Sequence, residues 1–433
     1  MIAQQLLRTA ALSIPLLASY TPLLAQGRSA AADADLVARA RAIHERVIAL
    51  DTHNDVSPAN FTAERNYTQR LSTQVNLPKM EEGGLDASFF IVYVGQDDDF
   101  SPEAYRRAHD EAIAKFQAIH RLADSIAPAR IGLAYTAADV RRIAASGRKV
   151  ALIGVENGYS LGEDIRRVQE FYDLGARYLS LAHNGHSQLS DSNTGEGTGV
   201  WKWNGLSPIG KDVVTELNRV GIMIDVSHPS KASMMQTVAL SKAPIIASHS
   251  AARALCDHSR NLDDEQLLAL KQNGGVVQVV AFNSYVKTPP PPSPERATAI
   301  AALRTEFGLP AQGGGRGALA ALTAEQRTAY RERMAKLDQQ FPPPPRATVA
   351  DFVDHIDYVV KLIDIDHVGI SSDFDGGGGV EGWNDASETF NVTLELVRRG
   401  YTEEQIGKLW SGNLLRVMDE VQEVAKRLQA ATP

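Results

Sequence analysis

The sequence predicts an α/β fold, a (β/α)8 or TIM barrel with a helical insertion before its last strand. Eight short apolar runs occur along the 433 residues. Most of them are continuous rather than alternating, as expected for parallel strands that are buried on both faces. Amphipathic stretches separate the runs, and the chain is long enough to form one large barrel. An open, doubly wound sheet is the alternative on these grounds.

The predicted strands and helices alternate along the chain. The strands are predicted at residues 47–50, 87–94, 150–155, 178–182, 221–226, 244–247, 275–281 and 367–370. The clearest helical patterns cover residues 102–125, 164–174, 210–220 and 263–272. We therefore place the barrel domain at residues 36–430.

One segment interrupts the alternation. Two proline runs, 289–292 and 342–345, bracket a stretch between the seventh and eighth predicted strands. Within it, residues 299–307 and 323–340 have a helical pattern, which predicts an inserted helical lobe at 286–347. A solvated surface excursion and a functional lid are both compatible with this pattern.

The N-terminus has the pattern of a secretory signal peptide over residues 1–25. Arg8 supplies the positive charge, residues 10–17 supply the apolar stretch, and small residues near Ala25 offer a cleavage site. An uncleaved anchor is the alternative, but serines and prolines break the apolar run before it reaches about 20 residues. We expect an exported protein, periplasmic or secreted, without stable membrane insertion after cleavage.

Composition narrows the chemistry. The formal charge of −8, from 44 basic and 52 acidic residues, argues against wholesale nucleic-acid binding. One cysteine against eleven histidines excludes an intrachain disulfide and a cysteine-built zinc site. Any metal must therefore be held by histidine and carboxylate side chains.

Polar residues that can bind metal follow the predicted strands, where barrels of this type carry their catalytic groups. His53 and Asp55 lie two residues apart after the first run, which directs both to one face of an extended strand. Glu156 directly follows the third run, where burial is costly unless the carboxylate is paired or bound to a metal. Histidines follow the next three runs, at positions 183, 228 and 249. One such histidine is usually a core residue, but the whole set predicts a metal centre.

The donor set predicts the class of metal. Three histidines, one aspartate and one glutamate suit zinc or another borderline divalent ion. Five ligands exceed the three that one catalytic zinc uses, whereas a bridging Glu156 suits two ions about 3.5–4 Å apart. The predicted partition gives one ion to His53, Asp55 and Glu156, and the other to Glu156, His228 and His249.

Several blocks in order resemble one known family, the membrane (renal) dipeptidases of peptidase family M19, which are amidohydrolase-like metal-dependent hydrolases. The blocks are DTHND at 51–55, GVENG at 154–158, GLSPIGKDVVTELNRVGIMIDVSHPS at 205–230, SHSAARALCDHSRN at 248–261 and SDFDG at 372–376. The resemblance runs from about residue 44 to residue 424. It implies a two-zinc dipeptidase that cleaves dipeptides, including those with a C-terminal D-residue, with a hydroxide that bridges the metals.

The resemblance also implies roles for single residues. The five ligands above match the family's metal ligands, with Glu156 as the bridge. His183 matches the histidine that contacts the substrate carbonyl, and Arg260 matches the residue that holds the substrate carboxylate. Asp373, at the end of the eighth predicted strand, matches the acid that transfers a proton to the leaving amine. A homodimer is the assembly that the resemblance implies.

The chain also departs from the family pattern. Residues 280–282 read Val-Ala-Phe where a more polar, tyrosine-containing wall is expected. Two other functions therefore stay open at this point. One is a related binuclear amidohydrolase that acts on another amide, a lactam or an N-acyl amino acid, and the other is a non-catalytic binding protein.

Overall fold

The computed structural model describes residues 21–96, 98–312, 319 and 322–431. Residues 1–20 of the predicted signal peptide lie outside this part of the chain, and a helix, Thr21–His44, begins within its last residues. Among the described residues, no helix combines the length and apolar character needed to cross a bilayer.

Nine parallel strands form one sheet in the described part of the chain. They are β1 (Leu50–Asp55), β2 (Ala87–Tyr93), β3 (Ile131–Leu133), β4 (Lys149–Glu156), β5 (Ala176–Ser180), β6 (Met223–Asp225), β7 (Ile246–Ser250), β8 (Val276–Val280) and β9 (Val368–Ser371). Eight of them follow the order β1-β2-β4-β5-β6-β7-β8-β9, while β3 pairs only with β4.

Contacts between the first and last strands complete the ring. The Asp55 amide donates to the Phe374 carbonyl at 2.9 Å, and the Ser372 amide donates to Asp51 Oδ1 at 2.9 Å. The eight strands therefore form a nearly closed barrel. This confirms the predicted (β/α)8 class and rejects the open sheet.

Helices connect the strands and cover the outside of the barrel. They occupy Thr21–His44, Leu77–Gly83, Pro102–Arg121, Ala137–Ala145, Arg167–Asp173, Gly195–Thr198, Pro208–Val220, Lys231–Leu240, Asp264–Asn273, Asn283–Val286, Pro294–Glu306, Ala324–Gln340, Val349–Ile363, Phe390–Arg398, Glu403–Gly407 and Asn413–Ala430. Several begin with a side-chain cap, as where Ser207 accepts from the Gly210 amide and Pro208 fills the first turn.

The continuous apolar runs are explained by two apolar layers. Leu50, Phe89 and Leu152 pack inside the barrel, whereas Phe90 and Ile153, the next residues on their strands, pack against the outer helices. Since both faces of each strand are buried, most strand residues are apolar, and polar residues occur mainly near the strand ends. The packed barrel thus holds the strand ends in fixed positions.

The first strand differs from its prediction. It was expected at 47–50 but extends over Leu50–Asp55, because polar side chains after Leu50 find partners inside the fold. Thr52 Oγ1 donates to the Ser248 carbonyl at 2.7 Å, and Asn54 Nδ2 donates to Ser88 Oγ at 2.6 Å. The pair predicted to bind metal, His53 and Asp55, therefore lies within β1 rather than after it.

The region between β8 and β9 contains two helices, Pro294–Glu306 and Ala324–Gln340. They share a small apolar cluster that includes Leu303, Tyr330 and Leu337. Arg296 Nη2 also forms an ion pair with Asp338 Oδ1 at 2.7 Å. Of the region predicted as an insertion, residues 313–318 and 320–321 lie outside the described chain.

Candidate active site

The carboxyl ends of the strands surround a cavity of about 540 Å³. Seven of the eight predicted site residues line it: Asp55, Glu156, His183, His228, His249, Arg260 and Asp373. The eighth, His53, lies beneath them with only 1% of its surface exposed. The structure thus brings together side chains from positions 53 to 373 at one end of the barrel.

Glu156, at the end of β4, is the centre of the cluster. Its Oε1 lies 3.0 Å from His228 Nε2 and 3.3 Å from His249 Nε2. Its Oε2 lies 3.5 Å from His53 Nε2. The two oxygens of one carboxylate therefore face different histidines.

The fit of this cluster to metal ions follows from its distances. Two nitrogens bound to one tetrahedral zinc are separated by about 3.3 Å, given Zn–N bonds of about 2.0–2.1 Å. His228 Nε2 and His249 Nε2 lie 3.1 Å apart, and with Glu156 Oε1 they form a triangle of similar edges. The donor set is nitrogen and oxygen only, as zinc and related divalent ions accept. The residues present therefore fit a metal centre.

A second set of donors lies beside the first. One ligand atom from each of His53, Asp55 and Asp373 lies within 4.8 Å of the others. His53, Glu156 and His249 form another such group. Since His53 belongs to both groups, the donors form one continuous cluster.

Burial and the charges within the cluster shift the pKa values of its histidines. Burial acts against a charged ring at His53, but the negative charges of Glu156, Asp373 and Asp55 outweigh it and raise the His53 pKa to about 10. Burial, aided by nearby positive charges, lowers the pKa values of His228 and His249 well below the usual range. These two rings are therefore uncharged at neutral pH, each with one nitrogen lone pair available to a ligand.

Asp373 follows β9 on a loop that folds back to the cavity. Its φ of 56° lies in the left-handed region, and a hydrogen bond joins its carbonyl to the Gly376 amide at 3.2 Å. Burial, with smaller contributions from the charges of Asp55 and Glu156, raises the pKa of Asp373 well above its usual range. A carboxyl group with a raised pKa at the edge of a metal cluster is suited to exchanging protons.

Asp375 has a different place from Asp373, although the two have similar backbone angles. Its carboxylate accepts from the backbone amides of Gln74 and Val75 at 2.9 and 3.2 Å. It thus ties the loop after β9 to the segment after β1. This position fits a loop-capping role.

His183 lies at the outer side of the cluster. Its Nε2 is 4.0 Å from Glu156 Oε1, farther than the other three histidines. Its ring packs between Tyr93, at a centroid distance of 4.7 Å, and His228, at 4.2 Å. The ring lines the cavity and is more exposed than the other three histidines, with 19% of its side chain accessible.

Arg260 is buried in the wall of the cavity, with 2% of its surface exposed. Its Nη1 donates to the Ser227 carbonyl, and its Nη2 donates to the His249 carbonyl at 3.1 Å. A guanidinium has five N–H groups, so these two bonds leave others for a ligand. Arg260 thus holds the ends of β6 and β7 together beside the cavity.

Tyr285 is a wall residue that the sequence analysis did not single out. It belongs to the short helix Asn283–Val286 and lines the cavity. The centroid of its ring lies 5.5 Å from the Arg260 guanidinium carbon. Phe282 stacks on its ring at 4.1 Å between centroids. Burial raises the Tyr285 pKa, so its hydroxyl keeps its proton and can donate it in a hydrogen bond. Tyr285 thus places a tyrosine in the cavity wall, although residues 280–282 contain none.

Comparison with known proteins agrees with this site. A sequence model of the family described as Membrane dipeptidase (Peptidase family M19) matches residues 37–432. Dipeptidase tcpJ of Claviceps purpurea is 31% identical over 370 residues, which cover 84% of this chain and 73% of that protein. Dipeptidase aclJ of Aspergillus oryzae is 30% identical over 401 residues, which cover 90% and 81%.

A solved structure is similar over almost its whole length. The probable dipeptidase PvdM from Pseudomonas aeruginosa is 33% identical, with a TM-score of 0.74, and the match covers 90% of this chain and 99% of that one. The family match spans the barrel and every residue of the cluster. This chain is therefore a member of the membrane dipeptidase family, peptidase family M19, and a metallopeptidase-type hydrolase.

Proposed function

We propose that the protein is a zinc-dependent dipeptidase with two metal ions in the cluster around Glu156. The observation that carries this proposal is the position of Glu156, whose two oxygens face His53 on one side and His228 with His249 on the other. A carboxylate in that position can bind one ion with each oxygen. Asp55 would complete the ligands of an ion held beside His53.

Metal ions held by these residues would supply an activated water and a Lewis acid for the substrate carbonyl. The chain's own groups would carry out the remaining steps. His183, directed at the open cavity, donates a hydrogen bond to the carbonyl oxygen as negative charge develops on it. Asp373 accepts a proton as the attacking water loses it and returns it to the nitrogen of the leaving amine.

The two ends of a dipeptide find complementary groups in the cavity. Arg260 and the Tyr285 hydroxyl together offer donors for the C-terminal carboxylate. The free amino group of the dipeptide would lie on the other side of the scissile bond, near the carboxylates of the cluster. Recognition of both charged ends within about 540 Å³ favours dipeptides over longer peptides, and we include dipeptides with a C-terminal D-residue among the substrates.

Export is also part of the proposal. The charge and apolar pattern of residues 1–25 supports cleavage of a signal peptide. Sequencing the N-terminus of the protein from periplasmic and culture fractions should find the mature chain to begin near residue 26. An intact Met1 on all of the folded protein would contradict this part of the proposal.

The test of function is elemental analysis combined with a substrate screen before and after chelation. We expect two zinc ions per chain, hydrolysis of L,L-dipeptides and of Gly–D-Ala, loss of activity on chelation, and recovery with zinc. Tripeptides and N-acyl amino acids serve as comparison substrates. Faster turnover of an N-acyl amino acid than of any dipeptide would contradict the proposed substrate class.

A matched pair of histidine variants tests the site itself. His228→Asn should lose zinc and activity. His120→Asn should keep both, since His120 lies on the helix Pro102–Arg121 and contacts Asp124 and the Leu174 carbonyl, away from the cluster. Equal metal content in the two variants would show that the ions bind elsewhere.

A further inference from the structure

A histidine can bind a metal through Nε2 only if its remaining proton is on Nδ1. The partner of Nδ1 therefore determines whether a metal-facing ring is ready to bind. For His53 and His249, that partner is a hydroxyl group with a single proton. Where this proton goes can be worked out from the other contacts of each hydroxyl.

At His53, the hydroxyl belongs to Tyr178 on β5. The Tyr178 oxygen lies 2.9 Å from His53 Nδ1 and 3.0 Å from the carbonyl oxygen of Thr52. A carbonyl can only accept, so the tyrosine proton is donated to Thr52. The Tyr178 oxygen must then accept the proton on Nδ1, which leaves Nε2 to face Glu156.

Gly154 makes this arrangement sterically feasible. It is paired with Tyr178 between β4 and β5, and a Cβ at position 154 would overlap the tyrosine ring. The ring therefore lies directly on the backbone of β4. This close packing gives the Tyr178 hydroxyl a fixed position beneath the cluster.

At His249, the hydroxyl belongs to Ser248. Its Oγ lies 2.8 Å from His249 Nδ1 and 2.7 Å from Oδ2 of Asp225, at the end of β6. A carboxylate can only accept, so the serine proton is donated to Asp225. Ser248 Oγ then accepts from His249 Nδ1, and Nε2 is again left with a lone pair.

Asp225 accepts hydrogen bonds at both of its carboxylate oxygens. Its Oδ1 accepts from the Ser227 amide, the Ser227 hydroxyl and the Ser248 amide at 3.1, 2.9 and 2.8 Å. Burial raises the pKa of Asp225 above its usual range, and these donors act against that rise. Asp225 is not among the described residues that line the cavity, so its contacts assign it to the histidine rather than to the reaction.

We propose that Tyr178 and the pair Asp225–Ser248 are positioning residues, which fix the ring tautomers of His53 and His249 so that both present Nε2 to metal. The inference rests on the proposed function, because it takes these histidines as metal ligands. The third histidine differs, since His228 Nδ1 has no hydrogen-bond partner in the described part of the chain. The two hydroxyl contacts are therefore specific features of His53 and His249.

The clearest consequence of this proposal is expected in the Asp225→Asn variant. The three donors at Oδ1 keep the amide oxygen in that place, so the NH2 group replaces Oδ2 and donates to Ser248 Oγ. The serine proton then turns to His249 Nδ1 at 2.8 Å, which is closer than the other available hydroxyl, Ser227 Oγ at 3.3 Å. This moves the ring proton to Nε2. A variant of equal size thus reverses the direction of both hydrogen bonds and removes the lone pair that would bind metal.

The experiment measures zinc affinity by competition with a chromophoric chelator, together with the melting temperature of the metal-free protein. Changes in the groups that orient a metal ligand commonly reduce metal affinity about 10- to 100-fold. We expect losses in this range for Tyr178→Phe and Ser248→Ala, and a larger loss for Asp225→Asn. The double variant Asp225→Asn with Ser248→Ala should bind zinc as well as Ser248→Ala alone, because the reversal passes through the serine hydroxyl.

Three control variants separate positioning from general damage. Ser250→Ala removes a buried hydroxyl of β7 that has no partner in the described chain. Asp191→Asn changes a buried carboxylate that accepts from the amides of Lys202, Trp203 and Gly205. Tyr159→Phe removes a tyrosine hydroxyl bound to the Asp99 carbonyl. All three should keep wild-type zinc affinity.

The outcomes distinguish the inference from the function on which it rests. Wild-type protein that binds no zinc would remove the proposed function and the inference with it. Wild-type binding together with unchanged affinity in Tyr178→Phe and Ser248→Ala would overturn the inference alone, as would equal losses in the control variants. If Asp225→Asn fails to fold, the other two single variants decide the result.

Discussion

Gly376 lies directly against the carboxylate of Asp373, with no space for a side chain between them. A Cβ at position 376 would overlap Asp373 Oδ1 and would lie 2.8 Å from Asp55 Oδ2. Both carboxylates belong to the cluster of donors at the barrel mouth. The absence of a side chain at 376 therefore sets where these two acidic groups can lie.

The first prediction is that Gly376→Ala lowers kcat about 100-fold, because a displacement of about 1 Å in a reacting group costs that much. Steady-state kinetics with a dipeptide substrate measures the effect. Gly197→Ala is the control, since a Cβ there meets no atom within 4 Å. Wild-type kcat in Gly376→Ala would show that Asp373 tolerates displacement.

The second prediction concerns proton transfer by Asp373. Asp373→Asn should retain its metal and lose about 10²- to 10⁴-fold in kcat, the usual contribution of a general acid–base group. Asp375→Asn is a matched control, because asparagine tolerates the φ of 56° at 373 and of 58° at 375. It should lower the melting temperature and leave kcat near wild type. Normal turnover in Asp373→Asn would remove this residue from the mechanism.

The third prediction follows from the raised pKa of His53. Near pH 7 the metal-free ring is protonated, since its pKa is about 10, and metal binding must displace a proton from Nε2. Zinc affinity should therefore rise with pH between 6 and 8, and binding at pH 7 should release at least one proton per chain. Calorimetry in two buffers with different ionisation enthalpies counts the protons. Binding without proton release would contradict the assigned charge of His53.

The fourth prediction concerns recognition of the substrate carboxylate by Arg260. Arg260→Lys keeps the charge but loses the planar fork, so KM for dipeptides should rise roughly 10- to 100-fold. Dipeptide amides, which lack the carboxylate, should show a much smaller change between wild type and variant. The control is Arg253→Lys, whose side chain pairs with Glu196 and Asp257. An equal loss for both substrate classes would assign Arg260 to holding β6 and β7 together.

The sequence was sufficient to predict the barrel and most of the residues that meet at its mouth, because strand ends are visible as polar residues after apolar runs. Glu156 and His249 are examples. Arg260 was identified only through the family resemblance. The extent of β1 could not be predicted, since Thr52 and Asn54 are buried by partners on other strands. The place of Tyr285 depends on a short helix turning it toward Arg260.

Asp225 shows most clearly what the sequence could not reveal. Its position before a histidine motif is visible, but its role depends on Ser248, which lies on the next strand. Only the packing of β6 beside β7 brings the carboxylate to the serine, and the serine to the ring of His249. Groups that act through an intermediate hydroxyl leave no pattern of spacing along one segment.

The hydrogen bond between Asp51 and Ser372 has a consequence for how the protein matures. These residues are 321 positions apart, so the ring of strands closes only after nearly the whole chain has been synthesised. His53 and Asp55 belong to the first strand made, yet they meet Asp373 only when the last strand docks. The proposed ligands and the proposed proton-transfer group Asp373 thus come together only in the finished barrel, so the proposed catalytic site forms late in biogenesis, in the compartment that the finished barrel occupies.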